Sequence, residues 1–192
     1  MSAVRNFILC LAVLFLSSCI PVDDFGTYWN KGTVNAAVTG KWQKIERRKK
    51  AEFVRITDEG GRYRIDTLDK KERGQKDYSP IFAKTLTAGK YTFFMAMSKK
   101  SGAAHFSPEG LVRYDIHHGV LTEYNLVDRR VGKFLADKFP HARNITAPKC
   151  RENCVYDSVK IRKLDAEVVK VLAAIPDTGE FWTVTEKWKR VK

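Results

Sequence analysis

Phe7 to Leu16 is an unbroken run of ten apolar residues, and this short block constrains the chain more than any other feature. Ten residues in helix reach about 15 Å, half of a hydrocarbon core, which is too short for a stable span. Arg5 is the only charged residue before Asp23, and Ser17-Ser18 ends the run abruptly. A positive start, a short apolar centre and small residues after it are the order of a secretory signal. A buried first helix of a soluble domain would explain neither Arg5 nor the sharp ending. The expectation is that residues 1–18 are removed on export.

Leu16-Ser17-Ser18-Cys19 follows directly: an aliphatic residue, two small residues and a Cys. This resembles the lipobox of bacterial lipoproteins. The resemblance implies cleavage between Ser18 and Cys19 and a diacylglyceryl group on the Cys19 sulfur. It also implies a third acyl chain on the new amino group. A thiolate is nucleophilic enough to take a lipid, and each buried methylene adds about 0.8 kcal/mol, so several chains anchor where one would not. The competing reading is ordinary secretion with a free Cys19 thiol. Cys10 would be discarded with the signal. Removing residues 1–18 takes one Arg and no acid, lowering the formal charge from +13 to +12. No Asp directly follows Cys19, since Ile20 stands there. In lipoproteins like those of enteric bacteria that pattern implies the outer membrane, with the folded part facing the periplasm.

The remaining chain is too rich in apolar residues, 44% overall, for a disordered polymer. Its length suits one domain. Residues 19–39 read as a lipidated N-terminus and tether, with Phe25, Tyr28 and Trp29 able to pack on the domain. Residues 40–192 read as a single β-rich globular domain. Polar and apolar residues alternate over Glu52–Thr57 and Arg62–Thr67 around Asp58-Glu59-Gly60-Gly61, which predicts a hairpin. Ile81–Thr87 with Lys90–Ser98, and Leu111–His117 with Val120–Leu126, predict two more. Trp42–Arg47 adds a strand before them. Asp128 is expected to cap a helix running to about Phe139, and Asp165 a second one, with Val168, Val169 and Leu172 on one side, ended by Pro176. Val155–Ile161 and Phe181–Trp188 return to strand spacing. The fold class is mainly β, an antiparallel meander of about eight strands with two late helices. An open sheet packed by helices and a closed barrel both satisfy this pattern.

Gly40-Lys41-Trp42 opens the meander and resembles the Gly-x-Trp signature of the first barrel strand in lipocalins. In that family the Trp closes one barrel end and a later Arg packs over it. The resemblance makes Arg190 the candidate partner. It implies a small barrel able to hold one apolar ligand, or one filled by side chains. Phe93, Met95 and Tyr114 are the expected lining of such a cavity. The family's second motif is not matched: this chain offers only Thr122-Glu123-Tyr124.

Candidate chemistry is sparse. Cys150 and Cys154 are read as a local disulfide, since an exported chain meets an oxidising compartment, with free or redox-active thiols as another reading. A metal site with His141 would lack a fourth ligand, so no metal and no cofactor are expected. His117-His118 precede Gly119 at an expected turn, and Asp115 could orient His117 on the same strand face. The enzyme reading rests on that pair alone, and no catalytic residue is assigned. Lys41–Lys50 holds six Lys or Arg, and Lys70-Lys71-Glu72-Arg73 and Lys187–Lys192 add two basic clusters. The export signal argues against nucleic acid. It points instead to an anionic lipid or an envelope polymer, each Lys or Arg adding about 1 kcal/mol near such a surface. A merely solvated basic face is the other reading. The sequence therefore supports a lipid-anchored envelope protein with a binding or structural module. A lipocalin-like carrier of a small apolar ligand and an envelope enzyme are the alternatives.

Overall fold

The computed structural model describes residues 19–45, 52–68, 80–99, 105–146 and 159–192. Its elements run β1 (Ile20–Pro21), α1 (Tyr28–Lys31), β2 (Gly40–Lys44), β3 (Phe53–Asp58), β4 (Tyr63–Thr67) and β5 (Ile81–Ala88). They continue with β6 (Tyr91–Ser98), β7 (Ser107–His117), β8 (Val120–Leu126), α2 (Asp128–Lys138), β9 (Ile145–Thr146), β10 (Lys160–Ile161), α3 (Ala166–Ala174) and β11 (Trp182–Val191). The three hairpins lie where alternation and turn residues put them. Residues 1–18, expected as a signal, the strand expected to begin at Val155 and the Cys150–Cys154 pair fall outside the described residues, apart from the short pairing of Lys160–Ile161.

The meander closes. Strands β2 to β8 pair antiparallel in sequence order. β11 then inserts between β8 and β2, with Trp188 opposite both Leu121 and Lys44. The product is an eight-stranded antiparallel, lipocalin-like barrel rather than an open sheet. Closure pairs both edges of each of β2 to β6 and joins β8 to β2 through β11. β7 pairs β8 only through Arg113–His117, and β1 takes the vacated edge, with Ile20 opposite Leu111 and Pro21 opposite Gly110.

Two apolar clusters follow from this closure. The barrel interior gathers one face of every strand: Trp42, Val54, Ile56, Tyr63, Ile65, Ala83, Phe94, Val112, Tyr114, Leu121 and Trp188. A second cluster lies outside the wall, where β5 to β8 and the start of β11 are covered by α2, α3 and the N-terminal segment. The centre of β6 is therefore buried on both faces, and its sequence is correspondingly apolar from Phe93 to Met97. Among the described residues β2 and β3 have no such cover, and their burial alternates.

Some expectations are corrected. Val127, not Asp128, is the N-cap of α2, and its side chain makes no cap hydrogen bond. Asp165 does cap α3, accepting from the Val168 N–H at 2.9 Å. The buried face of α3 is Val168, Val171 and Leu172, with Val169 half-buried. Residues 20–39 are packed along much of their length. Ile20, Val22 and Phe25 are buried, Val22 bridges to Ile161, and Thr33 bridges to Thr85. Tyr28 and Trp29 pack against the outer cluster as their aromatic character suggests.

Gly110 carries the docking of β1. A Cβ there would collide with the Ile20 carbonyl oxygen and the Cys19 sulfur. Gly110→Ala is therefore expected to lift β1 from the barrel and lower stability by about 1–3 kcal/mol. Urea unfolding and the rate of proteolysis near residue 20 measure both effects. Wild-type values for both would contradict this docking.

Candidate functional site

The barrel has one closed end. Trp42 is fully buried, and its indole N–H donates to the Val38 carbonyl at 2.9 Å. The Arg190 guanidinium lies 5.0 Å over the Trp42 ring and also donates to the Ala37 carbonyl. Arg190 and Trp42 are direct partners across β11 and β2. A cation over Trp contributes about 0.5–2 kcal/mol, so this pair pins the last strand to the first barrel strand. Beside it, the Tyr63 hydroxyl lies 3.1 Å from Thr85 Oγ1, which lies 3.0 Å from the Tyr114 hydroxyl. The Asn35 N–H donates to the Tyr63 hydroxyl, tying the segment before β2 to the same network.

The interior is filled by aromatic side chains. Phe94 stacks on Tyr114 with centroids 3.9 Å apart, and Tyr63 meets Phe94 edge-on at 5.7 Å. Tyr114 faces inward as expected. Phe93 and Met95 do not: they belong to the outer cluster, because Phe94 between them takes the inner face. A packed aromatic interior counts against a large ligand cavity of the lipocalin kind.

Away from the closed end the interior turns polar. Lys44 Nζ sits 3.0 Å from Glu186 and 3.4 Å from Glu52. Glu123 is fully buried and accepts the Trp188 indole N–H at 2.9 Å. Lys44 thus leaves the expected basic surface cluster and serves inside the barrel. Nothing in a residue count distinguishes it from Lys41, which is exposed. Only the inward phase set by Trp42, two residues before it, does so.

Cys19 is half-buried against the interior cluster. Burial pushes its thiol up to about 12, and the Glu109 and Glu123 carboxylates add to the effect. Ser18 and the rest of the lipobox are outside the described residues.

His117 and His118 occupy a hairpin tip. His118 and Gly119 both have positive φ, 47° and 73°, which builds the two-residue turn joining β7 to β8. The imidazoles are exposed and stack at 5.1 Å. Asp115 does not orient His117 by any hydrogen bond among the described residues. Its carboxylate lies 3.6 Å from Arg113 Nη2. The pair that carried the enzyme reading is therefore not brought together.

Arg113 is the site residue that sequence reasoning missed. It stands on the outer face of β7 and is 4% exposed. Its guanidinium carbon lies 4.2 Å from the Tyr91 ring centre, 4.4 Å from Tyr124 and 4.7 Å from Trp182. Nη2 donates to Asp177 at 2.8 Å. Arg113 Nε and Nη1 and Trp182 Nε1 are buried and have no hydrogen-bond acceptor among the described residues. No local motif marks this cage, since its members come from four separate elements and a loop.

The outer wall opposite the helices is basic. Lys41 and Arg55 are exposed and lie directly opposite one another on β2 and β3. Lys187 and Lys189 are exposed on neighbouring β11. Asp66, across from Arg55, is engaged by Arg64 at 3.0 Å. Lys41 and Arg55 line an open depression of about 510 Å³ with Thr39, Gly40, Ile56, Thr57 and Asp58. The Lys70–Arg73 cluster is outside the described residues. Among the described residues no group of His, Cys, Asp and Glu could hold a metal ion, and no helix is long and apolar enough to cross a membrane. Protein-family models, curated proteins and solved structures contain no match to this chain.

The raised Cys19 pKa has a measurable sign. The folded state holds the thiol proton more tightly, so this group stabilises the fold below about pH 9, the unfolded value, and the contribution is lost as pH rises toward 12. In the unacylated full chain at neutral pH, Cys19 is expected to alkylate roughly a hundredfold slower than in urea. Mass spectrometry of the Cys19 peptide follows the rate, and equal rates would contradict the burial.

Proposed function

We propose that this chain is a lipid-anchored cell-envelope protein whose barrel is a filled scaffold. Its basic outer wall meets anionic phospholipid or an anionic envelope polymer. The observation that carries the anchor is the meeting of motif and fold. The lipobox ends at Cys19, and the first described strand begins at Ile20, so cleavage before Cys19 removes none of the described elements.

The order of events follows from thiol chemistry. A thiol with a pKa of about 12 is ionised to roughly one part in 10⁵ at neutral pH, so the folded barrel is a poor acyl acceptor. Acylation therefore precedes packing of Cys19. The bulk of a diacylglyceryl group cannot share the space against Gly110, so in the anchored protein Cys19 swings away from the interior. Residues 19–24 then serve as the tether, while Phe25 and the segment beyond it keep their packing.

The wall reading rests on Lys41, Arg55, Lys187 and Lys189. Like charges directly opposite on neighbouring strands cost about 0.2–1 kcal/mol, and an anionic surface would offset that cost. The filled interior makes the carrier alternative the weaker one.

Vesicles with and without phosphatidylglycerol test the wall with the unlipidated chain. Binding is expected only to the anionic vesicles, weakening with salt. Lys41→Glu with Arg55→Glu is expected to reduce it at least tenfold, given about 1 kcal/mol per charge and the reversal of two. Equal binding to both vesicle types would overturn the wall reading.

A further inference from the structure

The geometry points to an oxyanion-recognition site at Arg113, outside the barrel and independent of the anchor. In it the Asp177 carboxylate is a resident occupant that an external carboxylate or phosphate group displaces. Arg113 carries five N–H donors, and its two carboxylate contacts, Asp177 and Asp115, both fall on Nη2. The Nε and Nη1 donors, together with the Trp182 indole N–H, are buried and lack acceptors among the described residues. Leaving such a donor unsatisfied costs about 1–3 kcal/mol.

The three aromatic rings hold the guanidinium plane and shut out water, which strengthens any charge-assisted hydrogen bond made there. Tyr91 is fixed in turn, its hydroxyl donating to the Ile175 carbonyl at 2.6 Å.

Asp177 is the movable part. Its side chain is 44% exposed, against 4% for Arg113. It lies on the connection between α3 and β11, just after Pro176. Lys90 Nζ, exposed at the end of the β5–β6 turn, stands 3.9 Å from the same carboxylate. When Asp177 swings toward solvent, Arg113 and Lys90 both face the space it leaves. The chemistry suits one oxyanion, supplied either free in solution or as a lipid headgroup.

The test reads the cage directly in the folded, ¹⁵N-labelled full chain. The Arg113 Nε–H and Trp182 Nε1–H resonances, assigned with Arg113→Lys and Trp182→Phe, are followed on adding sodium phosphate, sodium acetate or phosphatidylglycerol vesicles. Sodium chloride is the control. Both resonances are expected to move together and saturate with an oxyanion and not with chloride. Movement with phosphate or acetate assigns a free ion, and movement with vesicles alone assigns a headgroup. Asp177→Asn should bind roughly fivefold tighter, because the internal competitor is gone. Resonances that stay fixed, or that follow chloride equally, overturn the site, and unchanged affinity in Asp177→Asn overturns the displacement.

Discussion

Arg190 lying over Trp42 is the contact on which the rest of the structure depends. It joins the last strand to the first barrel strand across nearly the whole length of the chain. Without that seam, β2 and β11 would each present an open edge. With it, the sheet curls on itself and gains an inner face. Every inward residue is then committed to a shared core, and the outer face divides into a half covered by helices and a half left to solvent. The two halves have different chemistry because of that division. The half covered by helices hosts a buried cation in an aromatic cage, and the other half carries exposed Lys and Arg side by side.

Much of the barrel is legible in the sequence, because hairpins are local. Asp58-Glu59-Gly60-Gly61, Gly89 and Gly119 mark turns, and alternation marks the strands between them. The Gly-x-Trp opening and a late Arg point at the seam. What is hidden is anything whose meaning depends on cover. Phe93, Phe94 and Met95 read alike in sequence, yet Phe94 faces inward and its neighbours face the helices. Lys44 and Lys41 belong to one basic run, yet one lies inside the barrel among carboxylates. Arg113 is invisible for the same reason, since Tyr91, Tyr124, Trp182 and Asp177 are assembled around it only by closure and by the return of the chain through α3. Asp128 was the natural choice of helix cap, but the strand-to-helix junction places Val127 there.

The N-terminal segment has two demands on it. Cys19 packs inward against Gly110 as a free thiol, while the motif that ends at Cys19 asks for the same sulfur to carry lipid. These are reconciled if they belong to different stages. On the proposed reading lipid is added while the segment is unpacked, and the anchored protein gives up the inward seat of Cys19, the two-residue pairing of β1 and the burial of Ile20 and Val22. The barrel seam between β11 and β2 does not rely on that pairing. Under that proposal the basic wall and the Arg113 cage would be presented to whatever lies close to the bilayer.

The anchor is the premise for placing this protein in an envelope at all, and molecular weight decides it. Protein extracted with detergent from its native cells and weighed whole should start at Cys19 and carry the extra mass of a diacylglyceryl group, with a further acyl chain on the amino terminus. A polypeptide that still starts at Met1, or one whose Cys19 carries no fatty acyl group, would contradict the account.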